Sequence, residues 1–227
     1  MYKYETHVHT SMVSACGHNT PAEQVHAYAL RGYTGIIITD HFINGNSSCP
    51  RHLSWEEKMH FIVSSYEAAK VAGDACGLDV FLGWEYSIRG TDFLTYGLGL
   101  DFLLANPDFH RLNAADYSAL VRSAGGYIAQ AHPFRTGNWI AEPYPVDPSL
   151  LDGIEVFNAS IAPTQPEAND KARAFAHKHG LAMQAGTDSH NVNNHFSSGI
   201  MMETKAETIG DIISAIKNGT VSLILPE

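Results

Sequence analysis

The 227-residue chain is poor in cysteine and in positive charge, and it has no long apolar run. Its three cysteines, Cys16, Cys49 and Cys76, are odd in number, and no two have Cys-x-x-Cys spacing. A disulfide framework is therefore not expected, and a reducing, cytoplasmic setting is. The cysteines read as packing residues or passive thiols. Lys and Arg number 14 against 24 Asp and Glu, a formal net charge of −10. A non-specific nucleic-acid binder needs a basic face, so nucleic acid is not the expected partner, although bound metal ions would restore positive charge locally. No segment approaches the roughly 18–20 apolar residues that cross a bilayer, and Met1-Tyr-Lys-Tyr-Glu carries no apolar signal core. A membrane partner is not expected either. No Gly-rich phosphate loop with Lys is present, and Ser14 and Ser189 lack the strand–turn–helix elbow of a serine hydrolase.

Histidine stands out instead. Thirteen occur in the chain, and two are His7 and His9. Residues i and i+2 of a strand point to one face, so this pair can grip one metal ion. Alone, His-x-His is weak, but similar clusters follow other apolar runs. Asp40-His41 follows Gly35-Ile-Ile-Ile-Thr39. Trp84-Glu85-Tyr86 follows Asp79-Val-Phe-Leu-Gly83. His132-Pro133-Phe134-Arg135 follows Gly126-Tyr-Ile-Ala-Gln130, and Gly186-Thr-Asp188-Ser-His190 follows Leu181-Ala-Met-Gln-Ala185.

Helices are expected between these strands. Thr20-Pro-Ala-Glu23 and Ser54-Trp-Glu-Glu57 have capping-box spacing, and helices at about 21–31, 55–76, 114–124, 166–179 and 206–217 follow. Further strands are expected near 93–100, 154–158, 199–203 and 220–225. Strand, loop and helix alternate about seven times, which implies parallel βαβ units and favours a closed barrel over an open sheet. No linker divides residues 1–227, so a single domain is expected. Barrel active sites lie at the C-terminal ends of the strands, where these polar clusters recur.

The candidate ligands are His7, His9, His41, Glu85, His132, Asp188 and His190, with His18 in a loop able to fold over them. All are nitrogen or oxygen donors, which suits zinc, manganese or iron. They are too many for one ion, so two or three divalent ions would share them. Each has a plainer reading: Asp40 as a turn-former, Asp188 as an N-cap, Glu85 as the partner of Arg89 or Arg135. His26, His60, His177 and His179 read as helix-surface residues, while His52, His110 and His195 carry no assignment. Paired ions suit phosphoryl chemistry, because they bind phosphoryl oxygens and lower the pKa of a bridging water.

The successive motifs His7-x-His9, Thr39-Asp40-His41, strand-end Glu85, Ala131-His132-Pro133 and Gly186-Thr187-Asp188-Ser189-His190 resemble, in order, those of the PHP (polymerase and histidinol phosphatase) superfamily. The resemblance spans residues 5 to about 190. It implies a distorted (β/α)7 TIM-like barrel and hydrolysis of a small phosphorylated metabolite or nucleotide by a metal-bridging hydroxide. It implies that His7, His9 and Asp188 share one ion, that Glu85 bridges two, and that His41 serves a second with His18 as partner. His132 and His190 complete the set, and catalysis falls to Glu85, Asp188 and His190. Tyr96-Gly-Leu-Gly-Leu100 lacks a histidine found in many members. Arg135 suits a phosphate clamp through its guanidinium fork, and Asn158 lines the pocket in this reading. The segments 42–55 and 136–150 would form its rim, with Arg51, Trp139 and Tyr144 as substrate contacts. An amidohydrolase-type metallohydrolase and a non-catalytic metal-stabilised module are the alternatives. The bridging position is taken by Glu85, where many amidohydrolases carry a strand lysine.

Overall fold

Short β-branched and aromatic runs form the strands, and each helix between them starts at a polar cap. The computed structural model describes residues 1–138, 140, 145–194 and 197–225. Its elements are β1 (Tyr2–Val8), α1 (Pro21–Leu30), β2 (Gly35–Ile38), α2 (Trp55–Cys76), β3 (Asp79–Ile88), β4 (Thr91–Tyr96), α3 (Leu100–Ala105) and α4 (Ala114–Ser123). There follow β5 (Tyr127–Gln130), β6 (Gly153–Asn158), α5 (Pro166–His179), β7 (Ala182–Gly186), β8 (Gly199–Met202), α6 (Ile209–Lys217) and β9 (Ser222–Ile224). The expected capping boxes form. The Thr20 N–H donates to Glu23 Oε2 at 2.7 Å while Glu23 N–H donates to Thr20 Oγ1, and Ser54 and Glu57 repeat the pattern.

The strand order is β7-β6-β5-β4-β3-β2-β1-β8-β9. Strands β1, β2 and β3 run parallel, as do β5, β6 and β7. Past the end of β7, Ser189 bridges Val8, and His9 N–H donates to the Ser189 carbonyl at 3.0 Å. The sheet thereby curls into a nearly closed barrel of seven strands. Strands β8 and β9 extend it antiparallel beyond β1.

One expectation is corrected. The run after β3 is no βαβ unit, because β4 pairs antiparallel with both β3 and β5. The cause is the two-residue turn Arg89-Gly90, with φ of 53° and 86°. Two positive φ angles make the tight turn whose twist matches a hairpin. Strand β3 consequently runs on to Ile88, and Glu85 sits inside it rather than beyond its end. The segment 97–100 leaves the sheet at Gly97 (φ 85°) and enters α3.

Between the β3–β4 hairpin and helices α2 to α4 lies an aromatic core. Phe109, 3% exposed, sits 4.8 Å from Phe42 and 5.9 Å from both Tyr86 and Tyr117, measured between ring centroids. This core braces the strand that carries Glu85. Among the described residues, no helix is long and apolar enough to cross a membrane. Phe109→Ala should destabilise the fold by about 3–5 kcal/mol through lost burial and a residual cavity. A lower denaturant midpoint at unchanged slope would show it.

Candidate metal centre

Strand alternation puts His7 and His9 on one face, and both are fully buried. Their Nε2 atoms face each other at 3.0 Å. The outer nitrogens decide what lies between them. His7 Nδ1 is 3.0 Å from Glu155 Oε1, so it carries the proton and donates. His9 Nδ1 is 3.0 Å from Ser14 Oγ. The single Ser14 hydroxyl proton is already given to Asp40 Oδ1 at 2.6 Å, so His9 Nδ1 must also donate. With both rings neutral, the two Nε2 lone pairs then point at one another in a buried site. Two lone pairs at that distance repel unless a cation lies between them.

The other donors converge on the same place. Asp188 Oδ1 is 3.2 Å from His9 Nε2 and 3.5 Å from His7 Nε2. Glu85 lies across the site, with Oε1 3.0 Å from His132 Nε2 and Oε2 2.7 Å from His41 Nδ1. That last pair is close but misaligned, and both atoms are buried without a hydrogen-bond partner. They are oriented as two ligands of one cation would be, not as donor and acceptor. The backbone fixes them side by side, since Glu85 N–H donates to the Asp40 carbonyl and Phe42 N–H to the Glu85 carbonyl. His190 stacks on His9 at 4.2 Å and donates from Nδ1 to the Asp188 carbonyl.

Three donor groups result, each with its ligand atoms within 4.8 Å of one another: His7, His9 and Asp188; His7, Glu85 and His132; and His9, His41 and His190. The groups share members, so they could hold neighbouring ions. The donor set fits divalent cations.

Electrostatics agree. Burial lowers the His7 imidazolium, yet the Asp188 and Glu155 charges outweigh it and hold His7 well above the usual histidine range. Burial, with the charges of His190 and His41, holds His9 well below it. Burial opposes the ionisation of Glu85 and Asp188, but the surrounding histidines keep both carboxyls well below the carboxylate range. His190, also lowered by burial, is pushed up to about 9, chiefly by Asp188. Without a cation, protons occupy this site.

Two of the converging residues sit in strained backbone. His132 has φ 27° and Asp188 φ 53°, each just past the end of its strand. Such positions cost about 1–3 kcal/mol and cluster at functional sites. Asn158 Nδ2 donates to Glu155 Oε2 at 2.9 Å and to Asp188 Oδ2 at 3.3 Å, holding the strained carboxylate in place.

A cavity of about 610 Å³ opens onto the cluster, lined by Cys16, His41, Asn46, Ser87, Gly90, Asp92, Arg135 and His190. It is of small-ligand size. On its wall, Arg135 Nη2 donates to Asp92 Oδ2 at 2.9 Å, and Nη1 lies 3.8 Å from Asp188 Oδ2.

Residues 166–221 match the PHP-associated family. The whole fold matches a two-domain protein from Bacteroides vulgatus described as containing a PHP-like metal-dependent phosphoesterase, with a TM-score of 0.72 at 16% identity, over 99% of this chain and 64% of that one. The fold is that of the PHP-like phosphoesterase part of that protein. The chain spans less than two thirds of the Bacteroides protein's length. Folds of proteins with other activities also match. One is an amidohydrolase from Chromobacterium violaceum with bound sulfate and no metal (TM-score 0.60, 16% identity, 99% and 98% covered). Another is the lesion-specific endonuclease PfuEndoQ from Pyrococcus furiosus (TM-score 0.60, 16% identity, 99% and 58% covered). No curated protein matches this chain by sequence.

The structure brings together seven of the expected ligands: His7, His9, His41, Glu85, His132, Asp188 and His190. It does not bring in His18, which is exposed. The reason is local. Gly17 presses against the Thr10 carbonyl, where any Cβ would sit 2.3 Å from that oxygen. This turn places Cys16 in the cavity wall and His18 outward. Burial pushes the Cys16 thiol up, but hydrogen bonds from His190 and His41 bring it down to about 6.

Asn158 is also corrected. It is fully buried and its amide is spent on Glu155 and Asp188, so it positions those carboxylates and does not face the cavity. Arg51 is exposed, whereas Trp139, Tyr144 and His195 lie outside the described residues. Sequence reasoning missed Glu155, which also accepts the His132 N–H at 2.9 Å. Its signal was available: a charged residue inside the buried run Ile154-Glu-Val156 needs a partner. Asp92, which holds Arg135, was missed as well.

Two outcomes are expected. Binding of a divalent ion must expel protons from His7, His41 and His190, so apparent affinity should rise with pH up to about 9. Calorimetry at pH 7 in buffers of differing ionisation enthalpy should register proton release. Gly186 lets β7 lie against His7, since a Cβ there would meet His7 Cβ at 2.7 Å and Glu155 Oε1 at 2.8 Å. Gly186→Ala should destabilise by about 1–3 kcal/mol and lower the bound metal per chain.

Proposed function

We propose that the protein is a metal-dependent phosphoesterase acting on a small phosphorylated metabolite or nucleotide. The observation that carries this reading is the facing pair of His7 and His9 lone pairs, flanked by Asp188 and Glu85, beside a cavity with an arginine in its wall. In this reading His7, His9 and Asp188 would hold one ion, and His41 and His190 with Glu85 a second. His132 would serve a third together with His7 and Glu85. Two or three zinc, manganese or iron ions, when bound, would polarise a phosphoryl oxygen and acidify a water.

The remaining work falls to the chain's own side chains. Arg135 offers its guanidinium to the phosphoryl oxygens, and Asp92 fixes the angle of that fork. Asn158 and the Ser160 hydroxyl hold Asp188 Oδ2, leaving Oδ1 aimed at the histidine pair. His190, its side chain 26% exposed at the cavity wall, would serve as a ligand and not as a proton donor, since its Nδ1–H is held by the Asp188 carbonyl. The net charge of −10 disfavours a long anionic substrate. The endonuclease among the similar folds nevertheless keeps nucleic-acid phosphate among the substrates worth testing.

The experiment is phosphate release from metal-stripped protein reloaded with manganese, zinc or iron. The panel holds phosphomonoesters, nucleotides and a single-stranded oligonucleotide. Activity should return with metal and fall at least about a hundredfold in Asp188→Ala and His9→Ala, since even outer partners of a metal site cost 10–100-fold. Protein that holds two ions yet cleaves no phosphoester with any metal would overturn the reading in favour of amide hydrolysis or a binding module.

A further inference from the structure

Lone pairs limit how many ions the cluster can hold. His7 Nδ1 and His9 Nδ1 are both spent as donors, so each neutral ring offers one nitrogen, Nε2, to a metal. An ion held by His7, His9 and Asp188 uses both. The His41 corner then still has three donors: His41, His190 and Glu85 Oε2, the last 2.7 Å from His41 Nδ1. The His132 corner, where a third ion would sit, loses His7 and keeps His132 Nε2 and Glu85 Oε1. Those two atoms are 3.0 Å apart and hydrogen-bonded to each other. Glu85 Oε2 and His41 Nδ1, by contrast, are buried without a hydrogen-bond partner.

Two further oxygens lie near enough to complete a shell at His132. Asp92 Oδ2 is 3.9 Å and Asp188 Oδ2 4.0 Å from His132 Nε2. Two ligands at about 2.1 Å from one ion can stand up to about 4.2 Å apart. Both oxygens, however, already face another cation. Arg135 Nη2 donates to Asp92 Oδ2 at 2.9 Å, and Nη1 lies 3.8 Å from Asp188 Oδ2. One turn delivers both His132 and this guanidinium, because Arg135 N–H donates to the His132 carbonyl at 2.9 Å. Asp92 is fixed from its other side, where Oδ1 accepts the Ser87 hydroxyl. Its carboxylate is buried, and a buried carboxylate needs the cation that neutralises it.

We propose that the Arg135 guanidinium stands in the place of a third metal ion, so that the centre holds two exchangeable ions and one permanent charge. The inference rests on the metal-centre reading above and fixes its ion number. A guanidinium does not lose its proton in a protein, and no chelator removes it. Its single charge is spread over a plane of N–H donors, which suits it to bind and orient phosphoryl oxygens and not to acidify a water. Asp92 is the positioning residue that keeps it there, and His132 is left to hold Glu85 by a hydrogen bond.

The number of ions per chain tests this. Protein stripped of metal is dialysed against manganese until binding saturates, and the bound metal is counted by elemental analysis. Wild type should hold two ions. Arg135→Met, which keeps the bulk and removes the charge, should free Asp92 and hold three. Adding Asp92→Asn to that variant should return the count to two. Asp92→Asn alone should also hold two, because Asp92 serves the arginine and not an ion, and this variant gives the answer where Arg135→Met does not fold. A wild-type count of one or three, no gain in folded Arg135→Met, a third ion that survives in the double variant, or fewer than two ions in Asp92→Asn would each overturn the role of Arg135 and leave the metal centre standing. No ion bound at all would overturn the metal centre and this inference with it. The expected counts in a protein that cleaves no phosphoester would uphold the inference and overturn the phosphoesterase reading alone.

Discussion

Two imidazole nitrogens with lone pairs turned towards each other, 3.0 Å apart in a buried site, set the terms for the rest of the molecule. Nothing in His7 or His9 alone imposes that arrangement. Glu155 imposes it on His7, and Asp40 imposes it on His9 through the single proton of Ser14. Both supports are buried carboxylates, and burying a carboxylate costs several kcal/mol unless it is well bonded. Glu155 meets that condition by accepting from His7, His132 and Asn158. Asp40 meets it by accepting from Thr10 and Ser14. The cluster is thus a layered object in which each inner group has one acceptable orientation.

The barrel exists in a form that permits this layering. Glu85 points inward from the middle of a strand, braced behind by the aromatic core around Phe109. Asp188 and His132 reach the same point from strand ends, through backbone angles that L-residues seldom adopt. The molecule therefore combines rigid donors on continuous strands with donors held at local cost. Gly186 is what lets the two sets approach, because no side chain fits between β7 and His7.

Much of this was legible in the sequence, for definite reasons. Helix starts were readable because a capping box is a local exchange of two hydrogen bonds, complete within four residues, as at Thr20 and Ser54. The converging donors His41, His132, Asp188 and His190 were readable because each stands just beyond an apolar run, and a barrel gathers such ends at one face; His7 and His9 were readable from the two-residue alternation of a strand. What escaped depended on backbone angles or on distant partners. The turn at Arg89-Gly90 reversed a strand that the βαβ rhythm made parallel, since arginine gives no sign of a positive φ. His18 stayed outside the cluster because the glycine before it packs against Thr10, a contact invisible in the residue string. Asn158 read as a pocket residue, but its amide is consumed by carboxylates 3 and 30 residues away.

The bridge between Val8 and Ser189 has a bearing on how the chain comes to its fold. It joins the first strand to the end of the seventh, across most of the sequence. The closing contact is therefore among the most non-local the topology contains, and contacts of that kind form late and slowly. Until it forms, β1 keeps one flank of its histidine-bearing edge unsealed, and the carboxylates meant to surround those histidines are dispersed along the chain. The centre is then a product of the last closure, not a nucleus around which strands assemble. An ion arriving early would find pairs of ligands, and the full set only once the two ends of the barrel have met.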